Sequence, residues 1–179
     1  MAMVWRRVGL LEVDYTIFVI SEGGRIWPDA NDGTDHLMAD EYPVENGFIV
    51  HDNLSTIVRT GFHTGPVELT IELHDTRPEA QLDPWQEVAE FTAHSEFGDL
   101  RVAAFDDFPE WSLISTGGRG AYGLRVHAAG RDSALDGSRD RSIEQYLVVA
   151  WREPSIVDGV TILKTTDRTG AEYRKVESL

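Results

Sequence analysis

The chain has 179 residues, 31 acidic against 16 basic side chains, and a formal charge of −15 at pH 7. That length suits one domain, and we expect residues 1–179 to form a single unit. So negative a chain is a poor partner for nucleic acid or an anionic membrane, both of which reward Lys and Arg, while 41% apolar and 26% charged residues exclude a disordered composition.

The N-terminus reads MAMVWRRVGLLEVDY. Arg6-Arg7 could open a signal peptide, but Glu12 and Asp14 break the apolar stretch behind them. No apolar run approaches membrane-spanning length. A soluble, unprocessed, cytoplasmic protein is expected, and the absence of cysteine agrees with that location.

Period-two alternation dominates the rest of the chain. Across residues 11–20 the odd positions Leu11, Val13, Tyr15, Ile17 and Val19 are apolar and the even ones begin Glu12, Asp14, Thr16, predicting one half-buried strand. Residues 27–44 read as an acidic loop, in which 35–42 could form a short helix capped by Thr34 and stopped by Pro43. Strands are predicted at 47–51 and 54–60. Another covers 67–73, where Val67, Leu69, Ile71 and Leu73 oppose Glu68, Thr70 and Glu72. A loop at 75–84, with Pro78 and Pro84, precedes predicted strands at 87–94, 100–105, 111–115 and 122–129. A mixed loop at 131–142 leads to predicted strands at 145–152 and 160–165, the last in a C-terminal region of 153–179. Turn chemistry separates most of these runs, as at Glu22-Gly23-Gly24, Asn46-Gly47, Gly98-Asp99 and Gly117-Gly118. The expected fold is all-β, an antiparallel β-sandwich of about nine short strands with few or no helices. Trp5, Trp27, Trp85, Trp111 and Trp151 are expected to pack on sheets, with Trp27 and Trp85 the candidates for exposure.

Three motifs could carry chemistry. Gly118-Arg119-Gly120-Ala121-Tyr122-Gly123 matches a dinucleotide fingerprint, but strand alternation comes after it where a helix is required, so it reads as a turn. Asp29 to Asp35, with Asp40 beyond, suggests a calcium loop. Gly33 falls one place early and Asp40 stands where a glutamate belongs, so a solvated acidic loop is the better reading. His94-Ser95-Glu96 with His127 could supply the two imidazoles and one carboxylate of an iron(II) facial triad. That alternative, a mononuclear non-haem metal enzyme (an oxygenase or hydrolase), stands against a non-enzymatic chain with no cofactor.

The charge is unevenly spread. Residues 1–110 hold 22 acids and 6 bases, whereas residues 111–179 hold 9 acids and 10 bases. If the first part forms one side of the fold, that side is acidic and suits a cationic partner.

The order of segments also resembles a known family. LEVDYTIFVI, IWPD, an acidic stretch and GFIVHDNLSTIVRTG come first; VELTIELHDTRP, WQEVAEFTAHSEFGDLRVAAF, GAYGLRVHAAG and YLVVAW come after them. Over about residues 10–152 this succession is similar to the competence protein J family. The resemblance implies a β fold with no catalytic residues and an inhibitor role toward a DNA-entry nuclease. The chain departs from the family in a longer acidic segment, a longer 131–142 loop and a tail after Pro154.

Together these features lead us to expect a non-enzymatic acidic binding protein, of nuclease-inhibitor or immunity type. It would occlude a cationic partner, with Asp29, Asp32, Asp35, Asp40, Glu41 and Glu45 standing in for DNA phosphates. Trp27 and Tyr42 are the expected aromatic anchors.

Overall fold

The computed structural model describes residues 3–24, 46–52, 55–105, 107–133, 138, 141 and 144–176. The described chain is built from ten strands, two short 3-10 turns and one α-helix. β1 (Met3–Val13), β5 (Gly65–His74), β6 (Glu87–Ser95), β8 (Gly120–Ala129), β9 (Gln145–Arg152) and β10 (Thr161–Thr165) form a six-stranded sheet in the order β1-β5-β9-β8-β6-β10. β2 (Ile17–Glu22), β3 (Ile49–His51), β4 (Ser55–Arg59) and β7 (Leu100–Ala103) form a second sheet in the order β3-β4-β2-β7. α1 spans Arg168–Val176.

Alternation decides which side chains meet. Val67, Leu69, Ile71 and Leu73 of β5 and Leu124, Val126 and Ala128 of β8 point to one side. There they share a single core with Phe18 and Ile20 of β2, Val58 of β4, and Leu100 and Val102 of β7. The all-β reading therefore holds, and so does the predicted strand at 145–152, residue for residue.

Four details differ from the sequence expectations. Residues 11–20 are not one strand. β1 begins far earlier, at Met3, and the chain turns at Tyr15 and Thr16, both with positive φ (55° and 62°), before entering β2. The turn contains neither glycine nor asparagine, so the apolar period runs through it unbroken. β2 is also not half-buried, since Ile17, Phe18, Val19 and Ile20 are all enclosed.

Residues 111–115 are not a strand either. Glu110–Ser112 forms a 3-10 turn in which Ser112 N and Oγ both donate to the Pro109 carbonyl, and the contact with β7 is a single bridge at Leu113 followed by the Ile114 and Ser115 amides donating to the Leu100 carbonyl. The antiparallel expectation holds for every described strand pair except β5 with β9, which run parallel from Glu68↔Gln145 to His74↔Trp151. Long parallel crossovers usually carry a helix; here the intervening chain contains β6, β7 and β8 instead. Finally, the tail carries α1, which the sequence reading did not anticipate. Gly170 and Thr169 weaken its helical signature, and its capping comes partly from a distant residue, Asp132, which accepts from the Arg168 and Thr169 amides at 3.1 and 2.9 Å.

Loops finish the outer face of the larger sheet. Arg125 of β8 is 2% exposed and donates to the Pro78 and Glu79 carbonyls and to Glu90, pinning the 75–84 loop across β6 and β8. Trp151 lies over Gly123 so closely that a Cβ there would sit 2.2 Å from the indole ring. Gly118 and Gly120 bring the glycine-rich stretch through a turn into β8, as its alternation predicted.

Candidate functional site

All eight residues expected to meet a partner, Trp27, Asp29, Asp32, Asp35, Asp40, Glu41, Tyr42 and Glu45, lie outside the described residues. The expected 35–42 helix and the calcium-like loop do too. What the structure does describe is the pair of roots between which this acidic segment runs. It leaves the smaller sheet after β2 and returns just before β3.

The returning root is held by an unusual concentration of buried charge. Asn46 Oδ1 accepts from the Phe48 and Ile49 amides at 2.9 and 2.7 Å, which closes the turn into β3. Gly47 has φ 71° and touches the Gly170 backbone, where an added Cβ would lie 2.2 Å from the carbonyl oxygen. The Gly47 carbonyl accepts from Arg131 Nη1 and Nη2 at 3.3 and 3.2 Å, and the Asn46 carbonyl accepts from Arg174 at 2.8 Å.

Arg131 is completely buried. Its Nε and Nη2 form a bidentate pair with Asp167 at 2.6 and 2.8 Å, and Nη1 also donates to the Arg59 carbonyl. Burial, the largest single influence, would lower the Arg131 pKa; the Asp167 contacts together with the neighbouring Tyr146 and Glu87 raise it. Asp167 caps α1 by accepting from the Gly170 amide at 2.7 Å. Glu87 accepts from the Thr166 and Asp167 amides, and burial raises its carboxyl above the ordinary range against those bonds. Glu144 is enclosed as well. It accepts from the Gly61 and Phe62 amides and the Tyr146 hydroxyl, and burial again pushes its pKa up. Two bases from beyond residue 111 thus clamp the root of the acidic segment. The sequence showed those bases only as a neutral half.

The departing root carries a different feature. Gly24, with φ 68°, packs against Ala103 and Phe108. Phe108 is 51% exposed, and nearby Phe105 and Tyr15 are also open to solvent. Tyr15, held in its positive-φ turn, meets Phe105 and His63 edge to face, with centroids 5.4 and 5.5 Å away. Asp14 accepts from Thr64 Oγ1 at 2.6 Å, and Asp107 accepts from the Glu12 amide at 2.9 Å, so carboxylates fringe these rings. This aromatic rim was missed by the sequence reading. Its one signal in the sequence was a cluster of Phe105, Asp106, Asp107 and Phe108 in a segment with turn character.

The alternative metal residues are not brought together. His94 pairs with Ala121, and His127 pairs with Val88, six positions along β6. At ~3.3 Å per residue the two imidazoles are roughly 20 Å apart along the sheet. His94 and Glu96 are exposed, whereas His127 is buried beneath Trp85. Among the described residues no group of three or more His, Cys, Asp or Glu side chains could hold a metal ion. Trp85 itself, a candidate for exposure, is half-buried on that imidazole, its ring centroid 5.3 Å away. No described helix is long and apolar enough to cross a membrane.

The topology also corrects the idea that the acidic first part forms one side. β1, β5 and β6 come from that part and interleave with β8, β9 and β10 in one sheet. The smaller sheet alone is built wholly from residues before 110.

No protein-family model matches the chain, and no curated protein matches it. It is similar to the solved structure named crocagin biosynthetic gene J, with a TM-score of 0.53 and 12% identity, covering 86% of this chain and 99% of that one. It is also similar to ComJ from Bacillus subtilis, described as an inhibitor of the DNA-degrading activity of NucA, with a TM-score of 0.54 and 13% identity. That match covers 85% of this chain and 100% of ComJ. The segment order that resembled the competence protein J family thus corresponds to a shared three-dimensional fold, that of ComJ.

Proposed function

We propose that the protein is a non-enzymatic inhibitor of a nuclease, acting by covering a cationic substrate cleft. The observation that carries this reading is the fold shared with ComJ along the whole of ComJ's length. The acidic segment supports the mechanism. Asp29, Asp32, Asp35, Asp40, Glu41 and Glu45 fall within 17 residues of one connection whose ends are anchored in the smaller sheet. Carboxylates so placed meet a DNA-binding cleft as phosphates do, steering association and losing strength as salt screens them. Trp27 and Tyr42 serve as aromatic anchors within the segment. The exposed rings of Tyr15, Phe105 and Phe108 flank the departing root of that segment at Gly24 and add apolar contact area.

The test is affinity capture from the source cell extract at low salt, followed by nuclease assay of the released partner with and without the chain. The reading expects a nuclease whose DNA cleavage the chain suppresses. Replacing the six carboxylates by Asn or Gln should weaken suppression at least tenfold, roughly the effect of losing 1.4 kcal/mol. A captured partner with a neutral or acidic contact surface, or binding indifferent to salt, refutes electrostatic occlusion. Stoichiometric iron in the purified protein, lost on His94→Ala, would instead restore the enzyme reading.

A further inference from the structure

β1 is the outermost strand of the six-stranded sheet and 11 residues long, so one of its two edges faces away from β5. The hydrogen bonds say which residues present their backbone there. The Glu12 amide donates to Asp107 and not to Pro66, its register partner on β5, and the Glu68 amide, opposite Leu10, donates to Glu144 on the β9 side. The even positions Arg6, Val8, Leu10 and Glu12 therefore aim their N–H and C=O groups outward. Among the described residues, Asp107 covers this edge at Glu12, and no other hydrogen bond reaches Val8 or Leu10 from that side. The same residues show their side chains to solvent on the outer face, with Val8 53% and Leu10 56% exposed. Long apolar edges of this kind are ordinarily blocked or charged, because they template pairing with another strand.

The charges on β1 select one antiparallel pairing with a second copy. Registers that centre on Arg6 or Arg7 set like charges face to face. Centring on Val8 leaves Arg6 opposite Leu10, and centring on Leu10 leaves Glu12 opposite Val8. Centring on Gly9 sets every outward residue against a complement, Val8 against Leu10 and Arg6 against Glu12, on both sides of the two-fold axis.

We propose that β1 joins edge to edge with β1 of a second copy of this chain, Val8 facing the partner's Leu10 and Arg6 facing the partner's Glu12. The two six-stranded sheets then run on as one. Asp107 at Glu12 limits the ladder to its central residues, and the ion pairs close it at each end. The edge adjoins the aromatic rim at Asp107, which accepts from the Glu12 amide.

Sedimentation velocity of the full chain across a concentration series at low salt should show a monomer–dimer equilibrium. Glu12→Arg sets arginine against Arg6 at both ends and should weaken the dimer about tenfold, the scale of two cross-strand charge pairs reversed. Leu10→Lys should weaken it too while leaving the melting temperature unchanged at concentrations where the chain is monomeric, because Leu10 is exposed in the monomer. Register is read by oxidation, since the native chain has no cysteine. A mixture of Val8→Cys and Leu10→Cys chains should give a disulfide-linked heterodimer faster than either variant alone gives a homodimer. A chain that stays monomeric at every concentration overturns the proposal, as does a dimer indifferent to both Glu12→Arg and Leu10→Lys. Preferential homodimer cross-linking overturns the register.

Discussion

His127 allows a sharp test of how the outer face is closed. It is 1% exposed, lies under Trp85, and its Nδ1 is 3.1 Å from the Leu147 carbonyl, to which it donates. Burial lowers its pKa to about 4; the neighbouring Arg125 charge works the same way, and the Leu147 bond opposes them. In the unfolded chain the imidazole titrates near ~6.5. The folded value is depressed, so the contribution to stability is complete above about pH 6.5 and is lost as pH falls toward about 4. The difference in proton binding costs about 2 kcal/mol at about pH 5 and levels off near ~3 kcal/mol below pH ~4. Glu87 and Glu144 act with the opposite sign. Their raised folded values make the native state take up protons more readily, which softens the loss on acidification.

The measurement must therefore be differential. Urea unfolding of the native chain and of His127→Gln at about pH 7.5 and about pH 5 should show the variant losing about 2 kcal/mol less than the native chain between them. An NMR titration should place the imidazole well below its free value. If both proteins lose stability in parallel, or His127 titrates as a free imidazole does, the outer face is not closed over β8 and the reasoning fails.

Two other substitutions probe the framework. Arg131→Met leaves Asp167 buried without its cation and should cost about 3–5 kcal/mol in chemical denaturation, with partial recovery in Arg131→Met/Asp167→Asn. A loss under about 1 kcal/mol would mean the pair is not sealed from water. Gly123→Ala drives a methyl group into Trp151 and should cost about 1–3 kcal/mol, with a changed near-ultraviolet dichroism signal from the displaced indole.

Local periodicity settled a good deal of this protein before any tertiary contact is considered. β5, β8 and β9 alternate because one face of each meets the core, so their spans and buried sides are legible in Val67–Leu73 or Tyr122–Ala128 alone. The turn into β8 is legible for the same reason, and the succession of segments matches a fold seen in ComJ. Where β1 gives way to β2 in the other sheet, the core-facing side switches from the odd positions Leu11 and Val13 to the even positions Phe18 and Ile20, and the odd apolar series runs on across the switch because Ile17 and Val19 are buried as well.

The charge arithmetic is the clearest case of a pattern that needed three dimensions. Net charge and its uneven division are properties of the sequence, but which strands lie side by side depends on long-range pairing, and the parallel β5–β9 contact interleaves the two halves. Arg131 and Arg174 looked like part of a neutral C-terminal stretch. Folding carries them to the root of the acidic segment, where burial makes the Arg131–Asp167 pair obligatory. The separation of His94 from His127 is likewise a matter of strand register, since residues that lie 33 positions apart in sequence meet or miss according to which rungs of the ladder they occupy.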